Sequence, residues 1–268
     1  KGAIQDYNKA IEINPNYSKA YNNRGYAQAE LGNYHSAILD YNKAIEIDQN
    51  DAIYYNNRGI SKAILGDYKN AIQDYNKAIE INPNYANAYY NKGVTFANIG
   101  DHNVALQNFN KAIEIDNNYG IAYTNRGYTK NELGDYNGAI EDYNKAINLN
   151  PKNEVAYNNR GNSKNMTGDY KGAIQDYNKA IKLQPNYADA YCNKGFTEDL
   201  LGNYKSAIKN YNKALKLNPN SADLFDKIGI SKYKSGDYKG ALRDFNEAIK
   251  IDSTFARAYN NRGAVKAE

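Results

Sequence analysis

The side chains able to serve as nucleophile, general base or soft metal ligand are few in this 268-residue chain. There are two histidines, His35 and His102, and one cysteine, Cys192. Neither histidine lies near the cysteine, or near a pair of carboxylates at metal-ligand spacing. A nucleophile needs a base within hydrogen-bond reach, and a zinc site needs three or four ligands brought together. No glycine-rich loop follows a strand-like run, so no phosphate cradle is predicted. Asp and Glu are plentiful, but they recur in fixed columns, as helix caps and solvated faces do. These residues predict no enzyme, no metal site and no cofactor.

The polar side chains that do recur suit hydrogen bonding. Asparagine stands at Asn23, Asn57, Asn91, Asn125, Asn159, Asn193 and Asn261, with Lys227 filling the one gap in the series. A carboxamide offers both donor and acceptor, so a row of them suits the backbone of an extended peptide. The next column reads Arg24, Arg58, Lys92, Arg126, Arg160, Lys194, Ile228 and Arg262. Another reads Asp40, Asp74, Asn108, Asp142, Asp176, Asn210 and Asp244. Within a unit arginine goes with aspartate and lysine with asparagine; only Ile228 with Asp244 breaks the rule. Structural ion pairs are therefore predicted within units: Arg24 with Asp40, Arg58 with Asp74, Arg126 with Asp142, and Arg160 with Asp176. A planar guanidinium can grip a carboxylate through two parallel bonds.

These columns exist because the chain repeats itself. AIQDYNKAIEINPNY spans Ala3 to Tyr17 and returns unchanged from Ala71 to Tyr85, with a near copy beginning at Ala37 halfway between. The period is 34 residues. Residues 1–17 form a half unit, followed by full units 18–51, 52–85, 86–119, 120–153, 154–187, 188–221 and 222–255, then a partial unit 256–268. All five prolines share one column, and fifteen of the twenty glycines share two.

Each unit reads as two helices. In the unit starting at Ala52, the first helix is predicted to run to about Leu65. Gly66 ends it by tolerating the left-handed conformation, and Asp67 caps the second. Ala71, Ile72, Tyr75, Ala78 and Ile79 form a helical apolar stripe. Asn82 and Pro83 stop it, since proline cannot continue a helix. The expected class is all-α.

Tyr55-x-x-x-Gly59, Leu65-Gly66-Asp67-Tyr68, Ala71-Ile72, Tyr75-x-x-Ala78-Ile79 and Asn82-Pro83-Asn84 resemble the tetratricopeptide repeat, and the resemblance covers the whole chain. It implies a right-handed superhelical solenoid of about eight helix-turn-helix repeats, first helices concave and second helices convex. It also implies a non-catalytic protein-interaction scaffold. The asparagine column would face the groove, as would five aromatic residues: Tyr26, Tyr90, Tyr128, Phe196 and Tyr233. Off-pattern aromatics in a groove are candidate anchors for a partner. The lysines of the family's carboxylate clamp are missing, since Asn22, Asn56, Tyr90, Thr124, Asn158 and Cys192 stand where lysine is wanted.

Thirty-four basic against thirty acidic residues give a net charge of +4. That is too weak to predict a nucleic-acid partner. No apolar run is long enough to insert in a membrane. The expected partner is a protein or peptide, in a cytoplasmic or extracellular setting alike. The sequence opens without Met or a signal-like stretch, so the native N-terminus is expected to be absent. It opens on second-helix residues and closes on first-helix residues, which raises an alternative: head-to-tail association of copies into a filament or array. Ala3, Tyr7 and Ala10 would then meet Ala258, Tyr259 and Gly263 of another copy. A charge drift favours that order, because one outward column runs Glu12, Glu46, Glu80, Glu114, Asn148, Lys182, Lys216, Lys250.

Overall fold

The computed structural model describes residues 2–267, and these fall into two compact units divided between Gly134 and Asp135. Among the described residues every regular element is an α-helix. Unit 1 holds α1 (Gly2–Ile13), α2 (Ser18–Ala29), α3 (Tyr34–Ile47), α4 (Ala52–Ile64), α5 (Tyr68–Ile81), α6 (Ala86–Ile99), α7 (His102–Ile115) and α8 (Gly120–Glu132). Unit 2 holds α9 (Tyr136–Leu149), α10 (Glu154–Met166), α11 (Tyr170–Leu183), α12 (Ala188–Leu200), α13 (Tyr204–Leu217), α14 (Ala222–Lys234), α15 (Tyr238–Ile251) and α16 (Ala256–Ala267).

Local chemistry sets each boundary. Gly66 has φ +83, a conformation that costs other residues strain. Its N–H and that of Asp67 close back onto the carbonyls of Ala63 and Lys62, capping α4. The Asp67 carboxylate then accepts from the Asn70 backbone N–H, capping α5. Asp101, Asp135, Asp169 and Asp237 cap their helices in the same way.

Within each unit the two helices of a pair pack on each other, and each second helix also packs on the first helix of the following repeat. Within unit 1, successive first helices α2, α4, α6 and α8 also touch one another, as do α10 and α12, and α14 and α16, in unit 2. The core between paired helices is tyrosine against glycine. Tyr41, Tyr75 and Tyr177 are 1 % exposed. Each ring lies over the glycine of its own repeat; a Cβ on Gly59 would stand 2.7 Å from Cε1 of Tyr75. Flanking alanines such as Ala37, Ala44, Ala71 and Ala78 are fully buried, where small side chains let helices approach. The solenoid is thus all-α, built from repeated helix pairs.

Candidate functional site

The first helices carry the polar columns. On the side facing its paired second helix, Arg24 donates from Nε and Nη2 to Asp40 at 2.8 and 2.6 Å. Arg58 meets Asp74 at 2.9 and 2.6 Å, and Arg160 meets Asp176 at 2.8 and 2.6 Å. Arg126 belongs to unit 1 and Asp142 to unit 2. Each guanidinium has a further contact that the arginine–aspartate columns did not foretell. Its Nη1 donates to an asparagine of the preceding repeat: Arg24 to Asn8, Arg58 to Asn42, Arg126 to Asn110, Arg160 to Asn144, and Arg262 to Asn246. This column is asparagine in every copy, so it does not vary with the arginine. A second cation also joins some carboxylates, with Lys62 2.7 Å from Asp74 and Lys164 2.8 Å from Asp176.

Where the arginine is replaced, the arrangement changes. Lys92 is half-buried and burial lowers its pKa, while Asn108 turns to the Val104 carbonyl. Beside Ile228, Asp244 has Lys232 at 2.6 Å in place of an arginine, and burial raises its carboxyl above the usual range.

On the face where first helices meet, the asparagine column forms a ladder between repeats. The Asn57 side-chain amide donates to Asn22 Oδ1 at 3.0 Å, Asn91 to Asn56 at 2.9 Å, and Asn125 to the Tyr90 hydroxyl at 2.7 Å. In unit 2, Asn193 donates to Asn158 at 3.1 Å and Asn261 to Asp226 at 2.9 Å. Asn23 and Asn159 each accept from the asparagine just before them. Every ladder amide has two N–H groups, so one donated bond leaves a second donor. Asn23 is exposed and the others are partly exposed.

The five aromatics divide. Tyr26, Tyr128 and Phe196 share one repeat position and are exposed. Tyr90 instead packs against Phe109 and Tyr119, with ring centroids 5.9 and 5.1 Å away. Tyr233 packs on Tyr238 at 5.6 Å. These two rings are walls, already engaged within the fold. Each exposed aromatic borders a cavity between successive first helices. Tyr26 and Ile60 flank one of about 120 Å³. Val94 and Tyr128 flank one of about 200 Å³, which His102 and Asn125 also line. Phe196 and Ile230 flank one of about 250 Å³, with Lys227, Lys234 and Arg257 at its edge.

That last region departs from the repeat pattern. Lys227 lies 3.6 Å from the Cys192 sulfur and is bonded to Asp223. Asp226, fully buried, accepts from Arg257 at 2.7 Å. Burial raises the Cys192 thiol, the opposite of what an activated nucleophile needs. Among the described residues no three His, Cys, Asp or Glu side chains converge as metal ligands would, and no helix is long and apolar enough to cross a membrane.

As for the residues expected to join copies, Ala3 is exposed and Tyr7 and Ala10 are half-buried on α1. On α16 Ala258 is buried, Tyr259 is exposed, and Gly263 has open space where a side chain would go.

Comparison with known proteins accords with this architecture. Among curated proteins no relative matches the chain. Among solved structures, the APC/C hetero-tetramer Cut9-Hcn1 aligns over 98 % of this chain at 20 % identity, with a TM-score of 0.74. The chain spans about half of that relative, 52 % of its length. MamA aligns over 64 % of this chain and 94 % of its own, at 27 % identity and TM-score 0.58. YrrB, described as a TPR protein with an unusual peptide-binding site, aligns over 69 % of this chain and 95 % of its own, at 23 % identity and TM-score 0.55. A family model described as TPR repeat matches residues 1–32, 61–100, 127–165, 165–197 and 229–268. Models described as tetratricopeptide repeat match 18–51 and 188–221, and 86–119. With helix pairs, glycine–tyrosine packing and family models agreeing along its length, the chain belongs to the tetratricopeptide repeat family.

Proposed function

We propose that this protein is a non-catalytic scaffold that holds an extended peptide or partner segment along its first-helix face. The family generally serves as a protein-interaction scaffold, and the partner expected here is a protein or peptide. The observation that carries the finer reading is the asparagine ladder. Asn57, Asn91, Asn125, Asn193 and Asn261 are each anchored by a bond between repeats and keep further hydrogen-bonding capacity on a partly exposed face. Anchored carboxamides are pre-oriented, which lowers the entropy lost when a guest binds. They suit a peptide backbone, which also offers one donor and one acceptor per residue. Tyr26, Tyr128 and Phe196 then supply side-chain pockets beside the ladder.

The test is fluorescence anisotropy with labelled peptides alternating serine with lysine, glutamine or glutamate. Packed helices lie about 8–10 Å apart and an extended chain rises about 3.3 Å per residue, so about three residues span a repeat. Peptides of about twelve residues therefore cover four repeats by the same estimate. Replacing Asn91, Asn125 and Asn193 by alanine should weaken binding at least tenfold while the circular dichroism stays helical. Unchanged affinity in that variant sinks the ladder reading.

A second reading, association of copies through α1 and α16, is supported by complementary residues. Gly263 has open space over its backbone, and Arg262 is bonded to Asn246 of the preceding second helix. In repeats such as that of Arg58, the same two positions take a tyrosine ring and an aspartate. Tyr7 and Asp6 of a second copy have the matching chemistry. Light scattering over a wide concentration range reads this directly, and a constant monomer mass refutes it.

A further inference from the structure

We propose that the first-helix face of unit 1 selects a basic segment, seating lysine or arginine side chains in two tyrosine–glutamate pockets. This rests on the peptide reading above and assigns the chemistry of the guest.

Tyr26 and Tyr128 stand at the same repeat position and are 56 % and 48 % exposed. One helical turn after each comes a glutamate, Glu30 and Glu132, and residues four apart on a helix share one face. Both glutamates are exposed, and neither has an ion-pair partner among the described residues. Burial, together with the Glu132 carboxylate nearby, raises the Tyr128 hydroxyl above its usual value, so ring and carboxylate are close neighbours. An aromatic face attracts a cation through its quadrupole, and a carboxylate beside it adds an ion pair.

The cavities beside these rings suit the rest of such a side chain. Ala29, Ile60 and Ile64 line the first, and Val94 and Ala97 the second. Lysine and arginine lay their methylene stems along surfaces of this kind while the charged head stays in water. The second cavity also has His102 on its wall, with a buried Nδ1 that has no hydrogen-bond partner.

Around the first pocket the nearby cations are already engaged. Arg24 is tied to Asp40, and Arg58 and Lys62 are tied to Asp74. Lys19 lines a separate cavity with Asp48 and Asp51. Unit 2 supplies the contrast. There the same aromatic position is Phe196 followed by Leu200, and Ile230 is followed by Lys234, so no carboxylate stands four residues on; Asp199, which also lines that cavity, already accepts from Ser231 and Tyr211.

The same three peptides test the proposal on the full chain. The lysine peptide should bind at least tenfold tighter than the glutamate peptide. The double variant E30Q/E132Q should lose about tenfold toward the lysine peptide, at about threefold for each exposed charge pair. Its affinity for the glutamine peptide should be unchanged. Phe196→Ala should leave the order of the three peptides as it was. If all three peptides bind alike, or E30Q/E132Q leaves the lysine peptide unaffected, the charge selection is overturned while peptide binding stands. If none of the three binds, both readings fall.

Discussion

Gly161 and Gly263 occupy the same position in two first helices, yet the change to alanine should move them in opposite directions. A Cβ on Gly161 would stand 2.6 Å from Cε1, 2.9 Å from Cδ1 and 3.0 Å from Cζ of Tyr177. Carbon pairs rest at about 3.5–4.0 Å, so three ring atoms are overlapped. The ring cannot easily yield, because Tyr177 is 1 % exposed and its hydroxyl donates to Asn162 at 2.8 Å. Forcing a methyl into such a site costs about 1–3 kcal/mol, and a rigid ring puts the cost near the upper value. Alanine recovers about 1 kcal/mol of helix propensity, leaving a net loss of about 2 kcal/mol. At Gly263 nothing lies within 4 Å of the added atom, so only the gain of about 1 kcal/mol remains. The two variants should therefore differ by about 3 kcal/mol, with the propensity term common to both. Urea unfolding followed by circular dichroism measures the difference. Hydrogen exchange over α10, α11 and α16 shows where it acts, since repeat arrays need not unfold in one step. A Gly161→Ala protein as stable as the parent would refute the idea that the tyrosine ring is what requires glycine.

Asp176→Asn, which strips the charge from a site shared by Arg160 and Lys164, should cost about 3 kcal/mol in thermal or urea unfolding. Asp244→Asn should cost far less, since that carboxylate has lost its arginine to Ile228. The carboxyls of Asp244 and Asp199 are raised chiefly by burial, so the folded protein holds their protons more firmly than the unfolded chain. Stability should therefore fall as pH rises from the ordinary carboxylate range through the raised values, and Asp244→Asn should flatten that fall in melting scans. Gly168→Ala, at φ +84, should destabilise by about 1–2 kcal/mol through backbone strain. Asp67→Ala should cost about 1 kcal/mol by removing the cap of α5, read as faster amide exchange in its first turn.

Much of the fold was legible because each rule was printed many times over. Gly66, Asp67 and Pro83 mark boundaries by backbone chemistry that acts within a few residues, and repetition separates their columns from chance. The arginine–aspartate columns were legible for a related reason, because charge had changed on both sides at once. Other contacts were hidden. The column of Asn8 and Asn42 never varies, so nothing in it tracks the arginine it serves. Tyr90 and Tyr128 look alike as off-pattern aromatics, and only packing separates the ring wedged against Phe109 and Tyr119 from the one left open. Glu30 and Glu132 are unremarkable letters until the cavity beside each tyrosine is seen.

The arginine that reaches back to the asparagine of the preceding repeat behaves as a coupling spring between neighbours. Such springs are present where α2 meets α1, α4 meets α3, α8 meets α7, α10 meets α9 and α16 meets α15. They are missing where Lys92, Lys194 and Ile228 stand. In a one-dimensional array, the weakest link sets where cooperativity breaks. The seam between α5 and α6 in unit 1, and those at α11–α12 and α13–α14 in unit 2, are then the places where a pulled or warmed chain parts first. A nearly uniform sequence thereby acquires segments that melt as separate blocks.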